Sequence, residues 1–445
     1  MKIQLPNDVF CIIQTLNKAG YPAFIVGGCV RDSLRGKTPA DWDIATGATP
    51  EQTMALFPRC IPTGLKHGTV TVMMNKTGFE VTTFRVDGSY EDHRRPDAVV
   101  FTKDITEDLS RRDFTMNAIA YHPEIGVVDP FGGQEDIKND LIRSVGDPLV
   151  RFDEDALRML RAIRFAAQTG FSVCDAIIVA IKERASLISA VSAERIRDEL
   201  VKILLSDRPA MLELLHETGL LSLILPEVDR CFYVAQNSIY HIYDVGHHTL
   251  SVLRNAPMDL TIRLAALLHD IGKPDKKTTD ADGKDHFKGH DLVSVTLAEQ
   301  VLARLRFDNR TKDDVLRLIR FHDRRIPATK TSVRRLAATV GAKYFMPLLE
   351  LMRADAKGQH PDRLLDTLHY YDEIEKIYNE IIAQNNPLSL ADLAISGQDV
   401  MALGFEGPAV GKVLKQALNY VLEHPEDNQT KLLTKKIQAG HIKID

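Results

Sequence analysis

Hydrophobic and polar positions fall into two regimes along this chain. In the first 150 residues, short β-rich runs occur at 23–28 (AFIVGG), 42–46 (WDIAT), 68–74 (GTVTVMM), 79–84 (FEVTTF) and 98–101 (AVVF). They alternate with helical stretches such as 8–19 and 50–57. Strands interleaved with helices predict an α/β or α+β domain. After Pro148 the strand signals stop. Apolar residues then recur at helical spacing in DEDALRMLRAIRFAAQ, SAERIRDELVKILL, TIRLAALLHDIG, KDDVLRLIRFH and GKVLKQALNYVLE, with Pro and Gly between them. The expected fold class is α+β: a mixed head (1–147), then an elongated all-α part made of a neck (148–235), a body (236–384) and a tail (385–445). No fixed-period repeat is visible.

Composition narrows the classes. The 445 residues suit about three domains. Apolar residues at 44% and charged residues at 26% describe an ordinary globular chain and exclude wholesale disorder. The net charge of −5 excludes a protein that coats nucleic acid non-specifically, while leaving room for a local basic groove. The five cysteines are scattered and form no CxxC pair, which argues against a disulfide framework and a thiolate zinc site and fits a reducing cytoplasm. No run of 18 apolar residues occurs, so no membrane span is expected; nor is a signal peptide expected at MKIQLPNDVF. The sequence carries no signal for an oligomeric state.

Candidate chemistry in the head begins where AFIVGG ends on Gly27 and Gly28 and the chain turns into CVRDSLRG. Glycines at a strand-to-helix turn let backbone N–H groups approach phosphate oxygens. DWDIAT follows, with Asp41 and Asp43 flanking Trp42. On a strand, residues two apart share a face, and paired carboxylates call for a cation between them. Mg²⁺ is the natural choice for oxygen ligands. Glu80, on a later strand, is the candidate third carboxylate. Two such ions would activate a hydroxyl and stabilise leaving pyrophosphate. Each piece alone has a bland reading: a turn, a solvated acidic pair.

Together, GGCVRD and DWDIAT resemble the opening motif of the nucleotidyltransferase superfamily that includes polymerase β. Arg111-Arg112-Asp113, continuing as FTMNAIAY, resembles its second motif; the resemblance implies an Arg and an Asp near the ribose, and nucleotide contacts from Gly27, Gly28, Arg31, Arg112, Asp113 and Asn117. Asp129-Pro130-Phe131-Gly132-Gly133 resembles the hinge between head and neck. Glu154, Asp155 and Arg158 stand where class II tRNA nucleotidyltransferases and bacterial poly(A) polymerases read the base. The resemblance covers residues 20–205 in unbroken motif order. It implies a polymerase-β-like head and template-independent addition of CCA to the tRNA 3′ end from CTP and ATP.

The base-reading segment also has a direct physical reading. On a helix, Asp155 and Arg158 are i,i+3, and Glu154 and Arg158 are i,i+4. Asp offers acceptors and Arg donors. Cytosine and adenine both present an amino donor beside a ring-nitrogen acceptor, which this pair complements. Uracil and guanine present the reverse order and would leave buried groups unpaired, at about 1–3 kcal/mol each. Glu154 would brace Arg158, and Arg161 would line the same groove. Arg195 and Arg197, on the helix that resembles the family's fifth motif, are expected to buttress it. Residues 86–97, with Gly88, Arg94, Arg95 and Pro96, form a polar segment that the resemblance associates with the switch from C to A addition.

A second constellation lies at 241–355: His247, His248, His269-Asp270, His290, His322-Asp323 and Asp355. HDIGK resembles the signature of HD-domain metal phosphohydrolases. The resemblance implies a divalent ion, with transition metals among the candidates, on His248, His269, Asp270 and Asp355. His290 and His322 are candidates for a second ion or phosphate contact, and Lys273 for holding a phosphate. If active, this site would act on 2′,3′-cyclic phosphate or 2′-phosphate. The tail resembles the family's tRNA-gripping end, where Gly404, Gly407, Pro408 and Gly411 form a turn beside Lys412 and Lys415. Alternatives are an A-adding enzyme or a poly(A) polymerase, the latter disfavoured because the chain ends at GHIKID without a basic extension. A metal phosphohydrolase with a nucleotide-binding head and a non-catalytic tRNA-binding module are the readings from other classes.

Overall fold

The computed structural model describes residues 2–87, 99–237 and 242–442. The chain folds into two compact units, residues 1–226 and 227–445. The first begins with helix Asn7–Lys18, whose Val9, Ile12, Ile13 and Leu16 recur on one face and are buried. Strand β1 (Ala23–Val26) follows, buried on both faces. It is an inner strand of a seven-stranded sheet with β2 (Ile44–Thr46), β3 (Cys60–Gly64), β4 (Thr69–Met74), β5 (Thr77–Thr83), β8 (Ala120–His122) and β9 (Gly126–Val128). A separate pair, β6 (Arg85–Asp87) and β7 (Val99–Phe101), stands beside it in the chain. The sheet order is β3-β4-β5-β2-β1-β8-β9. Within this sheet β2 and β5 are the parallel neighbours, with Ile44 opposite Val81.

One layer of the core gathers Phe24, Val26, Ala45, Phe84, Leu109, Ala118, Ala120 and Val145. Leu109 of helix Ile105–Ser110 belongs to this layer, and Ile105 packs against it. The expected strands at 23–28, 42–46, 68–74 and 98–101 form within those bounds, and the one expected at 79–84 runs from Thr77 to Thr83. The sequence reading missed β3, β6, β8 and β9. β3 contains Pro62 and lies at the sheet edge, where a missing N–H is tolerated.

Two expectations for the later chain need correction. Short strands do recur after Pro148. Ser172–Val173 pairs with Leu141–Ile142, and Thr278–Thr279 pairs with Asp285–His286. The stretch from Asp153 to Gln168 is not one helix either. Helix Pro148–Glu154 ends, Asp155 takes an extended conformation, and a new helix runs Leu157–Thr169. The reason is local: the Asp155 carboxylate accepts the Leu157 N–H, so its own side chain substitutes for continued helix.

Helix Leu157–Thr169 packs against Ala193–Leu204, each burying a leucine- and isoleucine-rich face. Between them Arg164 donates to Glu199 at 2.8 Å, with both side chains less than a tenth exposed. The second unit is helical, including Val245–Asn255, Leu260–Leu268, His290–Arg304, Asn309–Phe321 and Ala342–Lys357. Its last helices, Gly397–Ala402, Pro408–Glu423 and Thr430–Gln438, share a small core around Val413, Ala417, Val421 and Leu433.

The Arg164–Glu199 pair generates a stability prediction. Glu199→Gln leaves a buried guanidinium without its counter-charge and should cost about 3–5 kcal/mol. Replacing both partners, Arg164→Met with Glu199→Leu, should restore most of that loss. Chemical denaturation of the three chains checks this; a double replacement as unstable as Glu199→Gln would contradict it.

Candidate functional site

The first candidate site is a cleft of about 710 Å³ in the first unit. Its walls carry eight cationic side chains against five carboxylates, in a chain whose overall charge is negative. Gly27, Gly28, Arg31, Asp41, Asp43, Arg112, Asp113, Asn117, Asp155, Arg158 and Arg161 all line it. The sequence-chosen residues of the head therefore converge, with Glu80 and Glu154 outside the lining.

The floor follows from β1. After Val26 the chain turns at Gly27, whose φ of +76° is a region side chains rarely adopt. A Cβ there would also meet the Arg112 guanidinium at 3.0 Å. Asp43 stands immediately before β2, and its carbonyl accepts the Val26 N–H at 3.0 Å. Asp41 and Asp43 thus precede the regular strand rather than lie within it. The parallel register of β2 and β5 brings Glu80 level with Asp43. Loss of water raises the Asp43 carboxyl above its ordinary range; Arg112 opposes this, while the Glu80 and Asp41 charges add to it. Three carboxylates that repel one another across this floor fit a bound divalent cation.

The arginines are held from behind. Asp108, fully buried, accepts from Arg111 Nε and Nη2 at 3.1 and 2.8 Å and from Arg112 Nη2 at 3.3 Å. Burial works against its charge, yet the two guanidinium groups outweigh it and hold the carboxyl below its usual value. Sequence reasoning passed over Asp108, although its i,i+3 and i,i+4 spacing to Arg111 and Arg112 on EDLSRRD was a usable signal. Asp113 is buried and accepts from Arg161 Nε at 2.8 Å and Nη2 at 2.6 Å, from the Phe114 N–H, and from Asn117 Nδ2 at 3.4 Å. Asn117 in turn accepts from Arg31 Nη1 at 2.7 Å. Asp113 therefore orients Arg161 and Asn117 in this structure.

At the upper wall, Arg158 is clamped by the Glu154 carboxylate and by the Arg151 and Arg111 carbonyls. These three acceptors use both Nη1 hydrogens and one on Nη2, so Nε–H and one Nη2–H remain. Asp155 gives one oxygen to the Leu157 N–H at 3.1 Å and the other to Arg195 Nη2 at 2.8 Å. Each oxygen keeps a further lone pair. Glu154 braces Arg158 as expected, but across a helix end, not along a helix. The polar segment's Arg94, Arg95, Gly88 and Pro96 lie outside the described residues.

The second candidate site is a pocket of about 390 Å³ in the second unit. His248 comes from helix Val245–Asn255; His269 and His322 follow the ends of helices Leu260–Leu268 and Asn309–Phe321. His290 opens helix His290–Arg304, and Asp355 lies on Ala342–Lys357. Gly272 lets the HDIGK turn press on the His290 helix, where a Cβ would meet the His290 carbonyl at 2.4 Å. All four histidines direct Nδ1 at a backbone carbonyl: His248 at Gly358, His269 at Ala266, His290 at Phe287 and His322 at Ile319. That fixes the tautomer and aims each Nε2 inward. His248, His269 and Asp270 form one close group of donors, and Asp270, His290 and His322 form another. Asp270 Oδ2 faces His269 Nε2 at 3.2 Å, whereas Oδ1 faces His290 Nε2 at 3.2 Å.

Buried His269 Nε2 and Asp270 Oδ2 make ion-pair contacts, with each other at 3.2 Å and from Lys273 Nζ to Oδ2 at 2.7 Å, but no directed hydrogen bond, which fits a metal donor set. Burial disfavours a charged His269, but Asp270 and Asp355 outweigh it and carry the imidazole up to about 10. The carboxylates therefore demand a positive charge here, as a proton or as an ion. Lys273 does not reach out for phosphate: its Nζ is buried on Asp270 Oδ2 at 2.7 Å and Gln236 Oε1 at 2.8 Å. Gln236 and Gln359, which donates to Asp355 Oδ2, were not singled out from the sequence. In the tail, Lys412 and Lys415 lie exposed on helix Pro408–Glu423, which follows Gly407. Among the described residues no helix is long and apolar enough to cross a membrane.

Residues 23–143 match the poly A polymerase head domain, residues 170–232 the probable RNA- and SrmB-binding site of polymerase A, and residues 239–368 the HD domain. A CCA-adding enzyme of Geobacillus thermodenitrificans is 53% identical over 210 residues, 47% of this chain and 52% of that protein. One of Limosilactobacillus reuteri is 48% identical over 198 residues, 44% of this chain and 49% of that protein. The chain thus spans about half the length of the curated relatives it matches. The crystal structure of Bacillus stearothermophilus CCA-adding enzyme in complex with CTP covers 98% of this chain and 99% of its own, at 29% identity and a TM-score of 0.73. Thermotoga maritima CCA-adding enzyme complexed with tRNA shares the fold at 17% identity and a TM-score of 0.58, covering 98% and 96%.

A carboxyl held below its unfolded value contributes stability above that value and loses it as pH falls through the native one. Asp108 should therefore stabilise the first unit at neutral pH, and Asp108→Asn should flatten the decline of stability below pH ~4. Denaturation measured from neutral to acid pH checks this; parallel curves for the two chains would contradict it. At the second site, a divalent transition ion at a hundred times its dissociation constant should stabilise by about 2.7 kcal/mol, reversibly with chelator. Thermal melts with and without ion measure it; His269→Ala should abolish the shift, and an unshifted parent would contradict it.

Proposed function

We propose that this chain, which joins a poly A polymerase head domain to an RNA-binding and an HD domain, adds CCA to the 3′ end of tRNA from CTP and ATP without a nucleic-acid template. The observation that carries this reading is the single cleft that holds Asp41 and Asp43 at its floor and Asp155 and Arg158 at its wall. The floor suits transfer and the wall suits selection. The tRNA 3′ hydroxyl attacks the α-phosphate of the bound nucleotide, and pyrophosphate leaves.

Asp41 and Asp43, with Glu80 level with them, would hold Mg²⁺. When bound, the ions would lower the pKa of the attacking hydroxyl and neutralise charge on the leaving pyrophosphate. The Gly27–Gly28 turn leaves room for the triphosphate, and Arg31, Arg112 and Arg161 supply the positive field around it. Asp113 and Asn117 act by holding Arg161 and Arg31. The spare lone pairs of Asp155 accept the amino group of cytosine or adenine, and the spare Arg158 donors meet the ring nitrogen. Lys412 and Lys415 are our choice for backbone contacts to the tRNA. The division into head (1–147), neck (148–235), body (236–384) and tail (385–445) belongs to this reading, as does a cytoplasmic location.

The second site favours a separate reading for the second unit. His248, His269, Asp270 and Asp355 would hold a divalent transition ion, and Asp270 Oδ1 with His290 and His322 offers donors for another. Bound there, the ion would supply Lewis-acid activation of water for hydrolysis of a phosphate ester at an RNA end.

tRNA transcripts ending at the discriminator base, at C and at CC, each incubated with Mg²⁺ and one labelled nucleotide at a time, test the transfer reading. Two C and then one A added to the shortest transcript is the expected result. Asp43→Asn should lower the rate by more than about 100-fold. One A added only to the CC-ending transcript would make this an A-adding enzyme, and long A tails on any RNA a poly(A) polymerase. No extension of any transcript would overturn the reading.

A further inference from the structure

The pocket of the second unit carries cations that its metal donors do not use. Lys284 and Lys288 both line it, on the segment that runs through strand Asp285–His286 to helix His290–Arg304. Among the described residues neither ammonium has an ion pair or a hydrogen bond. The segment beneath them is fixed. The Asp285 carboxylate accepts from the Asn237 N–H at 2.8 Å and the Thr279 hydroxyl at 2.7 Å, and pairs with Lys277 Nζ at 2.9 Å. The Phe287 carbonyl accepts from His290 Nδ1 at 2.9 Å, so the same segment aims the His290 imidazole. Lys273, by contrast, is spent on Asp270 and Gln236.

Charge decides what such a pocket takes. Its lining holds the carboxylates of Asp270, Asp285, Asp323 and Asp355. Lys277 offsets Asp285, and Lys273, Lys284 and Lys288 offset the other three, which leaves the pocket near neutral. A divalent ion on the carboxylate and imidazole donors would then bring two positive charges in excess. A phosphate monoester carries about −1.5 to −2 charge at neutral pH, more than a diester does. We infer that Lys284 and Lys288 hold the substrate's phosphate in the second site and make it select a terminal phosphate monoester over a cyclic or internal diester. The inference rests on the hydrolytic reading of that site and deepens it. Two ammonium groups grip the non-bridging oxygens of a dianion through charge-assisted hydrogen bonds. A diester has lost one of those charged oxygens to the second ester bond, so one lysine stays without a partner.

The test is calorimetric binding of inorganic phosphate and of dimethyl phosphate to the full chain loaded with Mn²⁺. Inorganic phosphate stands for the monoester and dimethyl phosphate for the diester. Three chains are compared: the parent, Lys284→Ala with Lys288→Ala, and Lys284→Arg with Lys288→Arg. Anion binding in the cleft of the first unit is the same background in each, because neither lysine lines that cleft. Melting curves with and without Mn²⁺ report folding and the metal site separately. The parent should bind phosphate more tightly than dimethyl phosphate. The alanine pair should lower the phosphate affinity by about tenfold or more and the dimethyl phosphate affinity much less. The arginine pair, which keeps both charges, should retain most of the phosphate affinity. A phosphate affinity unchanged in the alanine chain overturns the inference, and so does a parent that binds the two probes alike. Loss of the Mn²⁺ shift in the alanine chain also overturns it, since the lysines would then act through the metal site. Phosphate held through the two lysines in a chain that frees no phosphate from any RNA end would sink the hydrolytic reading and leave their role standing.

Discussion

A carboxylate shut away from water must be neutralised, and in the first unit arginine does this almost every time. Asp108 holds Arg111 and Arg112, Asp113 holds Arg161, Glu154 holds Arg158, Asp155 holds Arg195, and Glu199 holds Arg164. Each pair costs desolvation and adds little net stability. What it supplies is orientation. A guanidinium gripped on one edge presents its remaining donors in a fixed direction, so the cleft is a preorganised field of donors, ready for an anionic ligand. The same demand explains the local backbone. Asp155 can serve the cleft only because it leaves the helix, and it leaves the helix because its carboxylate caps the next one.

The second unit meets a similar demand by other means. Here Asp270 and Asp355 are surrounded by imidazoles, and every histidine spends its Nδ1–H on a carbonyl. The inward nitrogens become donors for a cation rather than hydrogen-bond donors. Lys273 buried against Asp270 Oδ2 supplies one fixed charge, the same oxygen faces His269, and Oδ1 faces His290. Arginine gives the first site rigidity toward planar ligands; imidazole gives the second an affinity for metal.

Local signals in the sequence were legible and distant ones were not. AFIVGG announced β1 and its turn because a buried apolar run and a glycine pair are both local facts. The histidines and aspartates of the second site were legible through HDIGK and its spacing. Helical periodicity in 153–168 concealed the break at Asp155, because periodicity reports burial and says nothing of a side chain that competes for a backbone N–H. The Asp113–Arg161 bond joins residues 48 apart, and nothing in either neighbourhood signals the other. The carbonyl partners of the histidines are equally silent, since every residue carries a carbonyl. Asp108 was legible at helical spacing and was passed over in favour of the motif beside it.

The central claim is that a preformed edge of Asp155 acceptors and Arg158 donors chooses the base. A crystal structure of the chain soaked with CTP measures this most directly. The account predicts the cytosine amino group within hydrogen-bond distance of the Asp155 carboxylate, its ring nitrogen facing Arg158, and both side chains in the places they hold here. A cytosine bound elsewhere in the cleft, or an Asp155 that has to swing away from Arg195 to meet it, would contradict the account.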